Sequence, residues 1–275
     1  MVELRKGNRA DTADRQTARN SANSSVLSPY RPVGTGEAKQ LVLAWRARSK
    51  TQNLNFSPKY IMHSKESVDG VLLGDKEPGM TSHDVVGLAR KRLGIKKIGH
   101  CGTLDPMATG LLILVVGRAT KIQDLLMSED KEYEGTVTLG ATTDTQDKEG
   151  NILEETPVPE FTEAQVRAPF EAMQGDFYQT PPMVSAIKKD GVPLYKLARQ
   201  GKTVEREPRL VHVFGYNLLR LELPEIDFRV TCSKGFYVRT YADEVGKALE
   251  CGAHLSALRR TRSGNFDRTR SVTVA

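Results

Sequence analysis

The sequence has little cysteine and no long hydrophobic run. Only three of its 275 residues are cysteines, Cys101, Cys232 and Cys251, and no two of them form a CxxC pair. An odd number of scattered thiols argues against a disulfide framework and against a cysteine-rich zinc site, and is typical of a reducing cytoplasm. The longest apolar run, Leu111 to Val116, is far shorter than the ~20 residues of a membrane span. The sequence therefore predicts a cytoplasmic protein that does not enter a membrane.

Most of the chain also lacks an excess of basic residues, although the whole chain carries a net charge of +6. Residues 1–61 hold 11 Lys and Arg against 4 Asp and Glu, whereas the remainder holds 29 against 30. Nucleic-acid binding therefore has to rest on local clusters of positive charge, not on the total. The clusters are formed by Lys91, Arg92, Lys96, Lys97, Lys188, Lys189, Arg259, Arg260 and Arg262.

The first 66 residues differ in composition from the rest. They are rich in Ser, Asn, Thr and Arg and lack sustained apolar periodicity, which predicts a basic, mostly disordered extension. The same composition faintly resembles an organelle transit peptide, and this remains the alternative. Residues 67–275 then form one domain, which is long enough to bury a sizeable core.

Helix and strand signals alternate irregularly after residue 67. Thr81 and Asp84 predict a capping box for a helix that ends at Gly94. Thr162–Met173 has helical spacing but contains Pro169, so a kink or a late start is expected. Further patterns predict strands at 70–73, 111–116, 133–139 and 228–232, and helices at 120–127 and 238–249. Because strands and helices follow no regular repeat, we expect a mixed α/β (α+β) domain around a largely antiparallel sheet.

The most distinctive segment is Gly99–Gly110, which sets Asp105 among three glycines and a proline directly before an apolar strand. Glycine and proline restrict or extend the backbone angles that a loop can adopt. This segment therefore predicts a loop of defined shape that presents one carboxylate at the start of a strand. Such a carboxylate is well placed for chemistry. The alternative is a turn in which Asp105 only accepts hydrogen bonds from nearby backbone N–H groups.

Five segments, in this order, resemble the TruB family of tRNA pseudouridine synthases. They are Asp75–Ser82, Gly99–Gly110, Asp130–Tyr133, Cys232–Thr240 and Leu258–Arg260. A sixth match, starting at Pro181–Lys188, is similar to an RNA-gripping insertion of the stand-alone bacterial branch, here about 176–208. The sequence departs from the family pattern at Gly74 and Glu77. The small C-terminal RNA-binding domain of many relatives is expected to be absent.

The resemblance implies a pseudouridine synthase-like fold and the isomerisation of uridine to pseudouridine in the T-loop of tRNA, at position 55. Asp105 is then the catalytic carboxylate, acting either as the nucleophile or as the base that removes the 2′ proton. Arg239 is expected to pair with Asp105 and keep it ionised. Tyr133 is expected to stack on the uracil. Neither chemical route requires a metal or a cofactor.

Other residues in the matching segments are expected to contact the substrate. His100 would fill the gap that the flipped base leaves, and Leu258 would form a wall of the pocket. Lys76 would either orient its own segment or meet a phosphate. Gly102 and Thr103 would shape the loop beside the RNA. Each has a structural alternative: a loop histidine, a core leucine, a solvated lysine or ordinary turn residues.

The expected partner is tRNA, through its T-loop and T-stem, with no obligate protein partner and a monomeric state. Two other functions remain as alternatives. One is a non-catalytic protein that binds and folds tRNA with the same surface. The other is an RNA methyltransferase that uses Cys101, although no convincing glycine fingerprint for a methyl donor is present.

Overall fold

The computed structural model describes residues 68–274. The predicted basic extension, residues 1–66, lies outside the described residues. Within them, no helix is long and apolar enough to cross a membrane.

The described chain contains fourteen strands and five α-helices. The strands are β1 Gly70–Lys76, β2 Ile98–Cys101, β3 Thr109–Val116, β4 Lys131–Leu139, β5 Ala141–Thr143, β6 Ile152–Glu155, β7 Gly175–Gln179, β8 Lys188–Lys189, β9 Val192–Pro193, β10 Arg209–Glu222, β11 Glu225–Cys232, β12 Ala253–Ser263, β13 Phe266–Asp267 and β14 Val272–Thr273. The helices are α1 Ser82–Leu93, α2 Gln123–Met127, α3 Glu163–Ala172, α4 Leu194–Ala198 and α5 Val238–Ala248. Two 3₁₀ helices, Gly117–Ile122 and Arg268–Arg270, complete the set.

Ten of the strands form one sheet, in the order β14-β1-β3-β12-β4-β11-β10-β7, with β2 beside β3 and β13 beside β12. Only the β1–β14 and β3–β12 pairs are parallel, and the other pairs in the sheet are antiparallel. The predicted mixed α/β architecture around a largely antiparallel sheet is therefore confirmed. The larger hydrophobic core combines residues of α1, α3 and α5 with one side of the sheet.

Local sequence signals explain where the main helices begin. α1 starts at the predicted capping box, in which the Thr81 side chain accepts from the Asp84 backbone and Asp84 accepts from the Thr81 backbone N–H. It ends at Gly94, whose left-handed backbone (φ 70°) suits glycine. α3 starts at a second capping box between Thr162 and Gln165. The late start expected from Pro169 is wrong, because this cap fixes the beginning at Glu163 and Pro169 is buried inside the helix.

The segment Gly99–Gly110 is only partly a loop. Its first residues belong to β2, where His100 pairs with Leu114, and its last two begin β3. The interpretation of the whole segment as a loop is therefore corrected. The loop proper is the short stretch around Asp105, held between two neighbouring strands.

One row of residues crosses the centre of the sheet. Lys76 of β1 lies opposite Gly110 of β3, Gly110 lies opposite Arg260 of β12, and Arg260 lies opposite Tyr133 of β4. Gly110 has a φ of 96°, and a Cβ there would lie 2.3 Å from the Arg260 carbonyl oxygen, so only glycine fits. Residues of four adjacent strands, three of them with side chains, are thereby brought to one level of the sheet, beside the Asp105 loop.

Candidate active site

Residues of β1 and α1 hold the Asp105 loop through hydrogen bonds to its backbone. The Ser82 hydroxyl accepts from the Leu104 backbone N–H (2.8 Å) and donates to its carbonyl (3.1 Å). The Lys76 amine donates to the carbonyl of Pro106 (3.0 Å), and so does the backbone N–H of Gly79 (2.9 Å). Because both neighbours of Asp105 are fixed in this way, the carboxylate is presented by a rigid turn.

Arg239, at the start of α5, faces the Asp105 carboxylate. Its Nε lies 2.9 Å from Asp105 Oδ2, and its side chain is only 3% exposed while that of Asp105 is 34% exposed. Its other nitrogens donate to the carbonyls of Thr145 (2.8 Å) and Val184 (2.7 Å). The expected ion pair is thus present, and the guanidinium is fixed in orientation by three segments of the chain.

A second carboxylate, Asp147, lies behind the pair. Its Oδ2 is 3.6 Å from Arg239 Nε, and the residue is buried. Asp147 is held by the Thr145 hydroxyl (2.6 Å) and by the Glu149 backbone N–H (3.1 Å). Arg239 therefore stands between two carboxylates, one buried and one open to the surface. Asp147 was not predicted as a site residue, because the Asp- and Thr-rich stretch around it has the composition of an ordinary turn.

Tyr133 is buried on β4, in the row described above. Burial raises the pKa of its hydroxyl, while the positive charge of Arg260 and a hydrogen bond from Arg260 act in the opposite direction. The charge of Asp105 also acts on this pKa and raises it. The structure thus pairs Asp105 with Arg239, and it places Tyr133 opposite Arg260, whose side chain donates to backbone carbonyls at both ends of the Asp105 loop.

Lys76 is fully buried. Its amine donates to the carbonyls of Glu77 (2.9 Å) and Pro106 (3.0 Å). Burial lowers the pKa of this amine to about 8, although the charge of Asp105 acts to raise it. Of the two roles expected for Lys76, a phosphate contact does not fit a buried side chain, and the orienting role does.

His100 and Leu258 flank the row. His100 is half-buried on β2, and burial together with the charge of Arg260 lowers the pKa of its imidazole, so it is neutral at pH 7. Leu258 is buried on β12, and its carbonyl accepts from the Thr109 hydroxyl (3.3 Å).

Gly102 and Thr103 lie at the start of the loop. Gly102 has a φ of 90°, and its carbonyl accepts from Arg260 Nη2 (3.2 Å). Thr103 is exposed.

The structure corrects one expectation, about Arg260, and argues against one alternative, about Cys101. Arg260, counted above in a positive surface cluster, is 1% exposed and cannot reach a phosphate. Cys101 is also fully buried, and burial raises the pKa of its thiol to about 11. A thiol that stays protonated at pH 7 is a poor nucleophile, which argues against the methyltransferase alternative.

Comparisons with known proteins identify the family of this chain. A family model described as TruB family pseudouridylate synthase (N terminal domain) matches residues 90–238, and one described as tRNA pseudouridylate synthase B C-terminal domain matches residues 239–275. The chain is 56% identical over 214 residues to tRNA pseudouridine synthase B of Opitutus terrae, covering 78% of this chain and 89% of that protein. It is 53% identical over 208 residues to the protein of the same name from Syntrophotalea carbinolica, covering 75% and 68%.

A solved structure, the crystal structure of a Cbf5-Nop10-Gar1 complex, shows a similar fold. It aligns with 32% identity and a TM-score of 0.59 over 74% of this chain. This chain spans about half (52%) of that solved chain. The match also confirms the pseudouridine synthase-like fold expected from the sequence. Family models that together cover residues 90–275, and relatives above 50% identity, show that the chain belongs to the TruB family of pseudouridylate synthases.

Proposed function

We propose that this pseudouridine synthase isomerises the T-loop uridine at position 55 of tRNA, with Asp105 as the catalytic carboxylate. One observation carries the proposal: Asp105 is the surface-facing partner of a guanidinium that is otherwise buried and bonded on every side. A carboxylate that only stabilised a turn would not need such a partner. The names of the relatives, tRNA pseudouridine synthase B, supply the substrate class.

The reaction moves one bond within one nucleotide. The N1–C1′ bond breaks, the base rotates, and a C5–C1′ bond forms. C5 then loses its proton and N1 gains one, so that substrate and product have the same composition. Asp105 would act beside the ribose, either on C1′ as a nucleophile or on the 2′ position as a base, while Arg239 fixes the direction of its carboxylate.

Three side chains around Asp105 suit a base that has left its stack. The Tyr133 ring would lie against the uracil, and Leu258 would close the pocket beside it. His100 is neutral, so it can fill the vacated position between bases without bringing a buried charge. Gly102 and Thr103 would form the rim of the pocket at the start of the loop.

The insertion at about 176–208 would grip the RNA. It is tied to the catalytic site because Arg239 donates to the Val184 carbonyl (2.7 Å). Lys188 and Lys189 are exposed on this insertion, where they can meet the phosphate backbone. We further propose that the enzyme works as a monomer, without a protein partner or a cofactor, in the cytoplasm. The three buried, unpaired cysteines suit a reducing compartment.

The test compares the purified wild-type chain with Asp105→Asn on unmodified tRNA. We expect tritium release from C5-labelled uridine, no change of mass, and chemical mapping of one pseudouridine at position 55. Asp105→Asn should lower the single-turnover rate by at least about 10⁴-fold, with tRNA binding retained. Asp124→Asn, a matched change at an exposed aspartate of α2, serves as the control.

Two results would contradict the proposal. Undiminished product from Asp105→Asn would remove this residue from the chemistry. Tight tRNA binding by the wild type without any C5–H release would point to the non-catalytic, RNA-folding function instead.

A further inference from the structure

Arg260 is a buried cation that the chemistry described above does not use. It is 1% exposed, and within residues 68–274 no carboxylate lies within 4 Å of its nitrogens. An arginine remains charged at all ordinary pH values, and burying its charge without a carboxylate partner is costly. Its position is therefore expected to serve a purpose other than stability.

The bonds of Arg260 connect both ends of the Asp105 loop. Its Nε donates to the Leu111 carbonyl (2.7 Å), just after the loop, and its Nη2 donates to the Gly102 carbonyl (3.2 Å), just before it. A Cβ on Gly102 would lie only 3.3 Å from Arg260 Nη1, so the loop backbone packs directly on the guanidinium. Arg260, like Ser82 and Lys76, thus holds the loop through hydrogen bonds to its backbone.

The same guanidinium lies beside Tyr133. The two residues are directly opposite each other on β12 and β4, so their side chains lie on the same face of the sheet. The positive charge of Arg260 and its donor groups act to lower the pKa of the Tyr133 hydroxyl. Since a guanidinium can only donate, the Tyr133 oxygen is the group that can accept from it.

We propose that Arg260 is a positioning residue that sets the Asp105 loop and the Tyr133 hydroxyl at a fixed distance and direction from each other. Its planar fork donates to the two loop carbonyls and at the same time lies beside the phenol oxygen. Arg260 thereby holds the Tyr133 ring where it can lie against the base. The proposal rests on the proposed function, because it assigns the phenol and the carboxylate to the same substrate.

The test is a double-mutant cycle between Arg260→Lys and Tyr133→Phe. Lysine keeps the positive charge but lacks the planar fork that reaches both loop carbonyls beside the phenol oxygen. We expect Arg260→Lys to lower the single-turnover rate by about 30-fold or more, since small misplacement of reacting groups is costly. Its tRNA dissociation constant should stay within about threefold of the wild type. In the Tyr133→Phe background, the same change should cost at least about tenfold less.

Arg229→Lys is the matched control, because Arg229 forms a half-exposed ion pair with Glu134 on the same sheet. It should leave the rate and the affinity unchanged. Circular dichroism and urea unfolding of every variant report whether each one folds.

The outcomes separate this proposal from the function it rests on. A wild type without activity overturns the proposed function. An active wild type with an equally active Arg260→Lys variant overturns only the positioning role. The positioning role would also be overturned if Arg260→Lys lowered the rate equally in the wild-type and Tyr133→Phe backgrounds, or if its loss of tRNA affinity matched its loss of rate. Failure of Arg260→Lys to fold would overturn it too, because it would assign Arg260 to stability alone.

Discussion

At the scale of single residues, the site is built from charges that are unevenly exposed to water. Arg239 is buried between Asp147, also buried, and Asp105, which reaches the surface. A guanidinium in this position cannot rotate away to solvent, because its other nitrogens are bonded to backbone carbonyls. The direction of the open carboxylate is therefore fixed before any substrate arrives, which is the condition for efficient positioning.

Lys76 gives a prediction about pH and stability. The pKa of its amine is about 8 in the folded protein, against 10.5 for an unperturbed lysine. Between these values the unfolded chain binds more protons than the folded one, so stability contributed by this residue rises with pH. Below pH 8 both states are protonated and this contribution is constant. We expect the stability of the wild type relative to Lys76→Met to increase on the order of 1–3 kcal/mol from pH 7.5 to 10.

Urea unfolding at several pH values measures this difference. Lys188→Met, a matched change at an exposed lysine, should show no such trend. A difference between wild type and Lys76→Met that stays constant over this range would contradict a depressed pKa at Lys76.

The family resemblance implied the pairing of Asp105 with Arg239, but not the surroundings of the pair. Asp144 and Asp147 lie in the same polar turn, separated by two residues. Only the fold shows that Asp147 is buried and Asp144 is exposed. Likewise, Arg259 and Arg260 are neighbours of the same type, yet one binds Asp75 near the surface and the other is buried. The sequence alone does not show which face of an unpredicted strand each arginine occupies.

At the scale of elements, α1 supports the Asp105 loop through its first turn. Thr81 and Ser82 are adjacent but have different partners. Thr81 caps the helix at an exposed position, whereas the buried Ser82 hydroxyl bonds both backbone groups of Leu104. The two residues therefore offer a way to separate the stability of the helix from the positioning of the loop.

We expect Ser82→Ala to cost about 1–3 kcal/mol in the free energy of unfolding, because it leaves two buried backbone groups of Leu104 without partners. It should also lower the single-turnover rate about tenfold or more, since the loop beside Asp105 is released. Thr81→Ala should cost about 1 kcal/mol, the usual value for a lost cap, and leave the rate unchanged. Urea unfolding and single-turnover assays on both variants check this. Equal effects on the rate would show that helix stability alone matters.

Elements with a clean period could be predicted, and those without one could not. α1, α5 and the alternating strands β4 and β11 follow their apolar patterns closely. β12 escaped prediction because it carries three arginines and has two register shifts along β4, which interrupt the period of two. β2 escaped because its glycine and histidine look like part of the following loop.

At the scale of the whole molecule, the central position of β12 explains how distant segments meet. β12 lies between β3, which follows the Asp105 loop, and β4, which carries Tyr133. Pairing with both strands places residues around 105, 133 and 260 at one level of the sheet. Such pairing between segments far apart in the sequence depends on the whole fold. The order of the five TruB-like segments therefore indicated the family, but not that Lys76, Gly110, Arg260 and Tyr133 lie in one row.

The described domain is not strongly basic overall, so we expect RNA binding to depend on a few phosphate contacts. Lys188 is exposed on the insertion, and we expect it to make one of them. Each phosphate contact contributes about one unit to the slope of log K against log salt. Lys188→Ala should therefore reduce that slope by about 1 and weaken tRNA binding at low salt, while the single-turnover rate at saturating enzyme stays unchanged. Filter binding at several salt concentrations measures the slope.

The control is Arg167→Ala, at a residue of α3 that is already paired with Glu163. An unchanged slope for Lys188→Ala would place this lysine outside the RNA-binding surface.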